Sequence, residues 1–407
     1  MNFSNYLKFL PIVASLALLS IVGFNRLIDP FALYGGPLIE GVNIHKTAFN
    51  RNTRMSKAAA IYQQNPLAIV LGSSRSERGI DPSHLGWRVN PVYNLSLNGA
   101  DLYEIFRYLQ HAQAIQPLKK VVLTLDFFMF NASRSLINVN KNSFREDRLA
   151  VNAEGQPNPL SWNHLLLTLF SLDTLVDSIG TVTEQSVATN KSQFIAGFNK
   201  IRSYGVKSIY NKGQRQSFLD TEKMYFNKNY DQFSFRTPRR DNWKIYQRLL
   251  LLSQQQGIDL RIVISPSHTR LFETIESKGI WDKFEQWKQQ LVALNESVAA
   301  QQGKPSFPLW DFSGYNHYTT EEVPALGDAE TQMQWYWESS HYKKELGDLV
   351  LDRIFNYKHP ERKIVKGFGV LLNSENIETH LQSIRKNQQQ WRMSYPEDVA
   401  EIEALKK

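Results

Sequence analysis

The chain has 407 residues, 42% hydrophobic and 21% charged, which excludes a disordered or collagen-like polymer and allows one large domain with insertions or two domains. A mean hydropathy of −0.39 excludes a multi-spanning membrane protein. Cysteine is absent, which removes disulfides, thiol catalysis and cysteine-ligated zinc, and 47 Lys+Arg against 39 Asp+Glu leave a net charge of +8. That excess favours an anionic surrounding such as a phospholipid surface, an acidic glycan or a nucleic acid. Nine Trp and 17 Tyr without Lys/Arg blocks suit a carbohydrate or acyl surface better than a nucleic acid.

Residues 9–24, FLPIVASLALLSIVGF, carry no charge. As a helix they cover about 24 Å, and Leu7, Leu27 and Ile28 extend the span toward the roughly 30 Å of a bilayer core. Lys8 and Arg26 reach to the headgroups. No small-x-small cleavage site follows the run before Arg26, so the expectation is an uncleaved signal anchor over residues 1–30 rather than a removed signal peptide. A large following domain is often translocated whatever the flanking charge.

LAIVL (67–71) is a short apolar run ending at a glycine, the pattern of a buried parallel strand, and VYNL (92–95) is a weaker second strand. A helix follows over about 101–115, with Leu102, Ile105, Phe106, Leu109 and Ala112 on one face. VVLTLD (121–126), LRIVIS (260–265) and PLWDF (308–312) read as third, fourth and fifth strands. A last amphipathic helix over 342–355 buries Leu346, Leu349, Val350 and Ile354. Alternating strands and helices give an α/β class, a three-layer α/β/α domain over 60–357 with a doubly wound parallel sheet. Between the third and fourth strands lie roughly 130 residues with no clear strand, including LLLTLFSLDTLVDSI (165–179). They are expected to form a long, mainly helical insertion at about 132–255, over one end of the sheet. The tail 358–407 contains a helix near 376–391 and then fades into a charged end.

Two short motifs carry chemistry. Gly72-Ser73-Ser74-Arg75 follows the first strand, where a serine on a strand-to-helix turn sits at the ligand end of the sheet and exposes its hydroxyl. The alternative is a plain flexible turn. A phosphate-binding loop is unsupported, because no Gly-Lys-Ser/Thr follows. Glu338-Ser339-Ser340-His341 precedes the last helix. Imidazole has a pKa suited to deprotonating a serine, and a carboxylate three residues earlier can orient it. The alternatives are a helix-start charge pair and a metal site, but the other eight histidines show no supporting spacing.

Together these motifs resemble the SGNH (GDSL-type) hydrolase superfamily. The closer likeness is to its membrane-anchored envelope branch, which includes the D-alanine transfer protein of teichoic acids and the alginate O-acetylation proteins. The resemblance covers residues 65–130 and 255–355 and implies a strand order 2-1-3-4-5. It further implies Ser74 as nucleophile, His341 as base and Glu338 as orienting acid. Asn94-Leu-Ser-Leu-Asn-Gly99 matches the block whose glycine, here Gly99, lends an N–H to the oxyanion hole. The Gly-x-Asn-Asp block is replaced by Asp126-Phe-Phe-Met-Phe-Asn131. An ionised Asp126 cannot donate to an oxyanion, so Asn131 is the further donor considered beside the Ser74 and Gly99 N–H groups. Arg75 is a candidate for an anionic substrate group, or else a solvated turn residue. His268 is a substrate contact or a structural histidine. Trp335 and Trp337, flanking Tyr336, could stack on a sugar or pack in the core, and Asp311 rivals Glu338 as the acid.

The function implied is O-acyl transfer in envelope or secreted polysaccharide acylation. Its partners would be a polysaccharide acceptor and a membrane-bound O-acyltransferase-type protein, with no nucleic acid, cofactor or metal. The chain would sit in the cytoplasmic membrane by a single pass, its globular domain on the extracytoplasmic, periplasmic side. An esterase using the same residues, and a non-catalytic glycan-binding scaffold, stand as alternatives.

Overall fold

In a computed structural model the chain is α/β, with one central sheet of six strands and a long apolar N-terminal helix. The structure describes residues 3–133, 144–186, 194–195, 197–199, 212–226 and 232–406. Residues 134–143, 187–193, 196, 200–211 and 227–231 of the expected insertion lie outside the described residues.

The chain divides into two compact units. The first comprises residues 1–65, 110–116 and 139–193; the second takes the rest, including the whole C-terminal tail. The expected insertion is therefore shared between them. Residues 165–179 pack with the N-terminal helix in the first unit.

That first unit is built on helix α1 (Phe3–Ile28). Its apolar stretch Leu7–Ile28 has 22 residues and a mean hydropathy of 2.1, long and apolar enough to cross a bilayer. Helix α2 (Thr53–Gln64) packs Met55 and Ala59 with Phe31, Leu33 and Ala48 in a small core. Helices α5 (Asn163–Leu169) and α6 (Leu172–Thr183) meet at a bend of 67°.

In the second unit, β1 (Ala68–Leu71) pairs in parallel with β2 (Val92–Asn94) and with β3 (Lys120–Leu125). Strand β3 pairs in parallel with β4 (Asp259–Ile264), and β4 with β5 (Leu309–Asp311). The order is β2-β1-β3-β4-β5-β8, where β8 (Val370–Leu372) runs antiparallel to β5. The sequence reading did not include β8, a three-residue run whose Leu371 stays exposed at the sheet edge. Strands β1 and β3 are almost wholly buried, so they read as continuous apolar runs. Helix α4 (Leu102–Ile115) buries the face expected of it, through Leu102, Ile105, Phe106, Leu109 and Ala112.

The C-terminal tail does not fade. Helix α12 (Ile377–Ser394) is followed by α13 (Pro396–Ala404), whose Ile402 is buried and whose carboxylates meet a buried cation. Arg270, on α9 (Thr269–Ser277), sits between Glu222, Asp398 and Glu401. Its guanidinium is wholly buried, so its charge requires those partners, and the acidic run PEDVAEIE supplies two of them.

Candidate active site

The carboxyl ends of β1, β2 and β3 bring three loops together, the place where open α/β sheets hold ligands. After β1 the chain turns at Gly72 into the short helix α3 (Ser74–Gly79). A Cβ at Gly72 would lie 2.0 Å from Thr124 Oγ1 and 2.3 Å from Ser76 Oγ, so only glycine fits between β3 and the turn. Ser73 caps α3, its hydroxyl oxygen accepting from Arg75 N, and also donates to Asp126 Oδ2. Ser74 is thus the first residue of α3, fixed by the strand before it and the cap beside it.

His341 arrives on a hairpin rather than on a helix start. Strands β6 (Tyr336–Glu338) and β7 (His341–Tyr342) pair antiparallel, with Glu338 opposite His341. Ser74 Oγ and His341 Nε2 are 2.7 Å apart, while His341 Nδ1 meets Glu338 Oε1. The carboxylate accepts only, so Nδ1 carries the proton and Nε2 is free to accept from the Ser74 hydroxyl. The other carboxylate oxygen, Oε2, accepts from Ser340 N at 2.7 Å, which holds the acid in place.

Two close approaches set the Ser74–His341 distance. A Cβ on Gly79 would lie 2.0 Å from the Tyr342 ring, and one on Gly347 would lie 1.7 Å from Gly79 O. Gly347 belongs to α11 (Lys344–Ile354), which follows the hairpin directly. Two glycines therefore let the helix bearing the serine touch the hairpin and helix bearing the histidine. Asn94 secures the other side of α3, donating to Ser76 O and Ile80 O at 2.8 Å each.

The serine and histidine open on a cavity of about 210 Å³. Gly99 lines it with a φ of +66°, a left-handed backbone that glycine adopts freely, and Asn98 lines it beside Gly99. Phe128, Met129 and Met224 supply an apolar side, with Tyr225 stacked on Phe128 at 4.7 Å.

Other residues singled out in the sequence lie elsewhere or are engaged. Asn131 is buried and does not line the cavity; its side-chain oxygen accepts from Ser133 N and Ser234 N, which holds a turn. Arg75 is no solvated turn residue. Its guanidinium is buried and reaches Asp126 at 2.9 Å, Tyr225 OH at 2.8 Å and Ser340 O at 3.0 Å. Burial alone would depress that group, but Asp126, Tyr225 and Glu338 together outweigh it and keep Arg75 charged. Asp126 therefore braces the serine turn through Ser73 and Arg75. Asp311, the rival acid, pairs with Lys288 at 2.8 Å and His380 at 2.9 Å, away from His341. His268 caps α9: its Nδ1 accepts from Arg270 N and its Nε2 donates to Glu321 O. Complete burial pushes its pKa down to about 3, which keeps it neutral. Trp335 packs edge-on against Tyr318, and Trp337 carries Lys343 over its ring; neither lines the cavity. Strand alternation explains this, because Tyr336 and Glu338 turn inward and their neighbours outward.

Several cavity residues escaped the sequence reading. Arg78 lines the cavity and makes no hydrogen bond among the described residues. Burial lowers the pKa of its guanidinium. Its place four residues after Ser74, on the same helix face, was a usable signal. Tyr225 and Met224 come from the region read as insertion, and no local pattern marks them. The chain matches no protein-family model and no curated protein.

Proposed function

We propose that this chain is a membrane-anchored serine O-acyltransferase of the SGNH type, acting on an envelope or exported polysaccharide. The observation that carries the proposal is the continuous chain from Ser74 Oγ through His341 to Glu338 at the mouth of a cavity. The order β2-β1-β3-β4-β5 supports the same family reading. In the reaction, His341 Nε2 takes the hydroxyl proton as Ser74 Oγ attacks the acyl carbonyl of the donor, and the donor's leaving group departs with that proton. The N–H groups of Ser74 and Gly99 meet the oxyanion. The acceptor hydroxyl then attacks the acyl-serine as His341 takes its proton, and the departing Ser74 Oγ receives that proton from His341, regenerating the hydroxyl. Arg78, with no hydrogen bond to the described protein, offers its charge to an anionic group on donor or acceptor.

The apolar helix α1 supports attachment to a membrane. In this proposal that membrane is the cytoplasmic one, and Ser74 works on its extracytoplasmic side beside a membrane-bound acyl supplier. The test is the acyl content of the glycan in cells carrying Ser74→Ala. A transferase leaves the polysaccharide under-acylated, whereas over-acylation would make the same residues an esterase. Unchanged acylation with a folded, membrane-bound variant would overturn both.

A further inference from the structure

Helix α6 is amphipathic in the reverse sense. It buries Thr174, Ser178 and Thr181, while Leu172, Val176 and Ile179 on the opposite face are 66%, 68% and 50% exposed. A soluble helix turns its apolar stripe inward, so this pattern is that of an element whose outer solvent is lipid. The bare surface continues through the bend, with Trp162, Leu167 and Phe170 also exposed.

The bend is tied to α1. Asn25 is fully buried and donates to the carbonyls of Leu169 and Ser171 at 2.9 and 3.2 Å, on either side of the break, while Ser178 donates to its Oδ1. Satisfying carbonyls freed at a helix break with a neighbour's polar side chain is how broken helices survive beside lipid. The two helices have 7 and 12 residues, about 10 and 18 Å, too short to span. Asp173 is exposed at the start of α6, and Asp177 pairs with Arg51 at 2.5 Å, which keeps charge at headgroup level.

We propose that the α5–α6 bend is a monotopic membrane element. It lies in the plane of the leaflet at the C-terminal end of α1, with Trp162, Leu167, Phe170, Leu172 and Val176 in the boundary between headgroups and acyl chains. The inference rests on α1 spanning that bilayer and is independent of the chemistry at Ser74.

The absence of cysteine makes single-site labelling clean. Leu167→Cys, Val176→Cys and, as a reference inside α1, Leu16→Cys would each carry an environment-sensitive fluorophore. The full chain would be placed in phosphatidylethanolamine–phosphatidylglycerol vesicles holding spin-labelled lipids with shallow or deep quenchers. The expected result is blue-shifted emission at Leu167→Cys and Val176→Cys, quenched more by the shallow label, with Leu16→Cys quenched more by the deep one. Water-like, unquenched emission at both surface sites beside a quenched Leu16→Cys would overturn the proposal. Cross-linking of those two sites between copies would then assign the face to self-association. An unquenched Leu16→Cys would instead remove the anchor on which the inference rests, and the inference with it.

Discussion

His341 divides its two ring nitrogens between a carboxylate and a hydroxyl, and that division sets the effect of each substitution. Ser74→Ala and His341→Ala should each lower acyl transfer by about 10³-fold or more, and the double variant should lose little beyond either alone, because the pair acts as a unit. Glu338→Gln should cost at least about tenfold less, since it disturbs orientation without removing the base. Single-turnover acylation rates on the four variants check the ranking. Arg78→Gln should raise KM for an anionic substrate and leave kcat near wild type, as expected for a contact made equally in ground and transition states. A matched fall in kcat would move Arg78 into the chemistry instead. The Ser74, His341 and Glu338 cluster was legible because each residue sits in a short motif next to a recognisable element. The burial and pairing of Arg75 were not legible, because nothing local discloses that Asp126, fifty-one residues later, takes its charge.

At the scale of elements, the geometry depends on how closely α3 can approach the hairpin and α11. Gly347→Ala would drive a methyl into Gly79 O, and the backbone shift should cost about 1–3 kcal/mol. It should also lengthen the Ser74–His341 contact, so activity should fall further than stability alone explains. Denaturant midpoints read beside acylation rates would separate the two effects. Asp126→Asn leaves the buried Arg75 charge without its carboxylate and should destabilise by about 3–5 kcal/mol. The five long-range parallel strands could be read in the sequence from their apolar runs. The β6–β7 hairpin could not, because its strands have three and two residues and its turn is the Glu338-Ser339-Ser340-His341 motif itself. Helix α13 was hidden by its acidity, which faces Arg215 and Arg270 rather than water alone.

Over the whole molecule, the two-unit division was invisible in sequence because residues 165–179 look like any apolar helical insertion. Their link to α1 runs through packing and through the Asn25 hydrogen bonds, which no local pattern announces. Stability of the second unit should carry a histidine signature. The folded pKa of His268, about 3, lies below the roughly 6.5 of an unfolded histidine, so only the unfolded chain takes up that proton between those values. Its contribution is complete above the unfolded value and is lost as pH falls, at about 1.4 kcal/mol per unit across that window. Urea midpoints at pH 7 and pH 5 should show the loss, and His268→Gln should flatten it. The most direct test of the central claim is intact-mass analysis of the full chain in detergent after exposure to a serine-reactive fluorophosphonate. The account predicts one adduct, on Ser74, absent from folded Ser74→Ala and His341→Ala. An unlabelled wild-type chain, or equal labelling of His341→Ala, would contradict it.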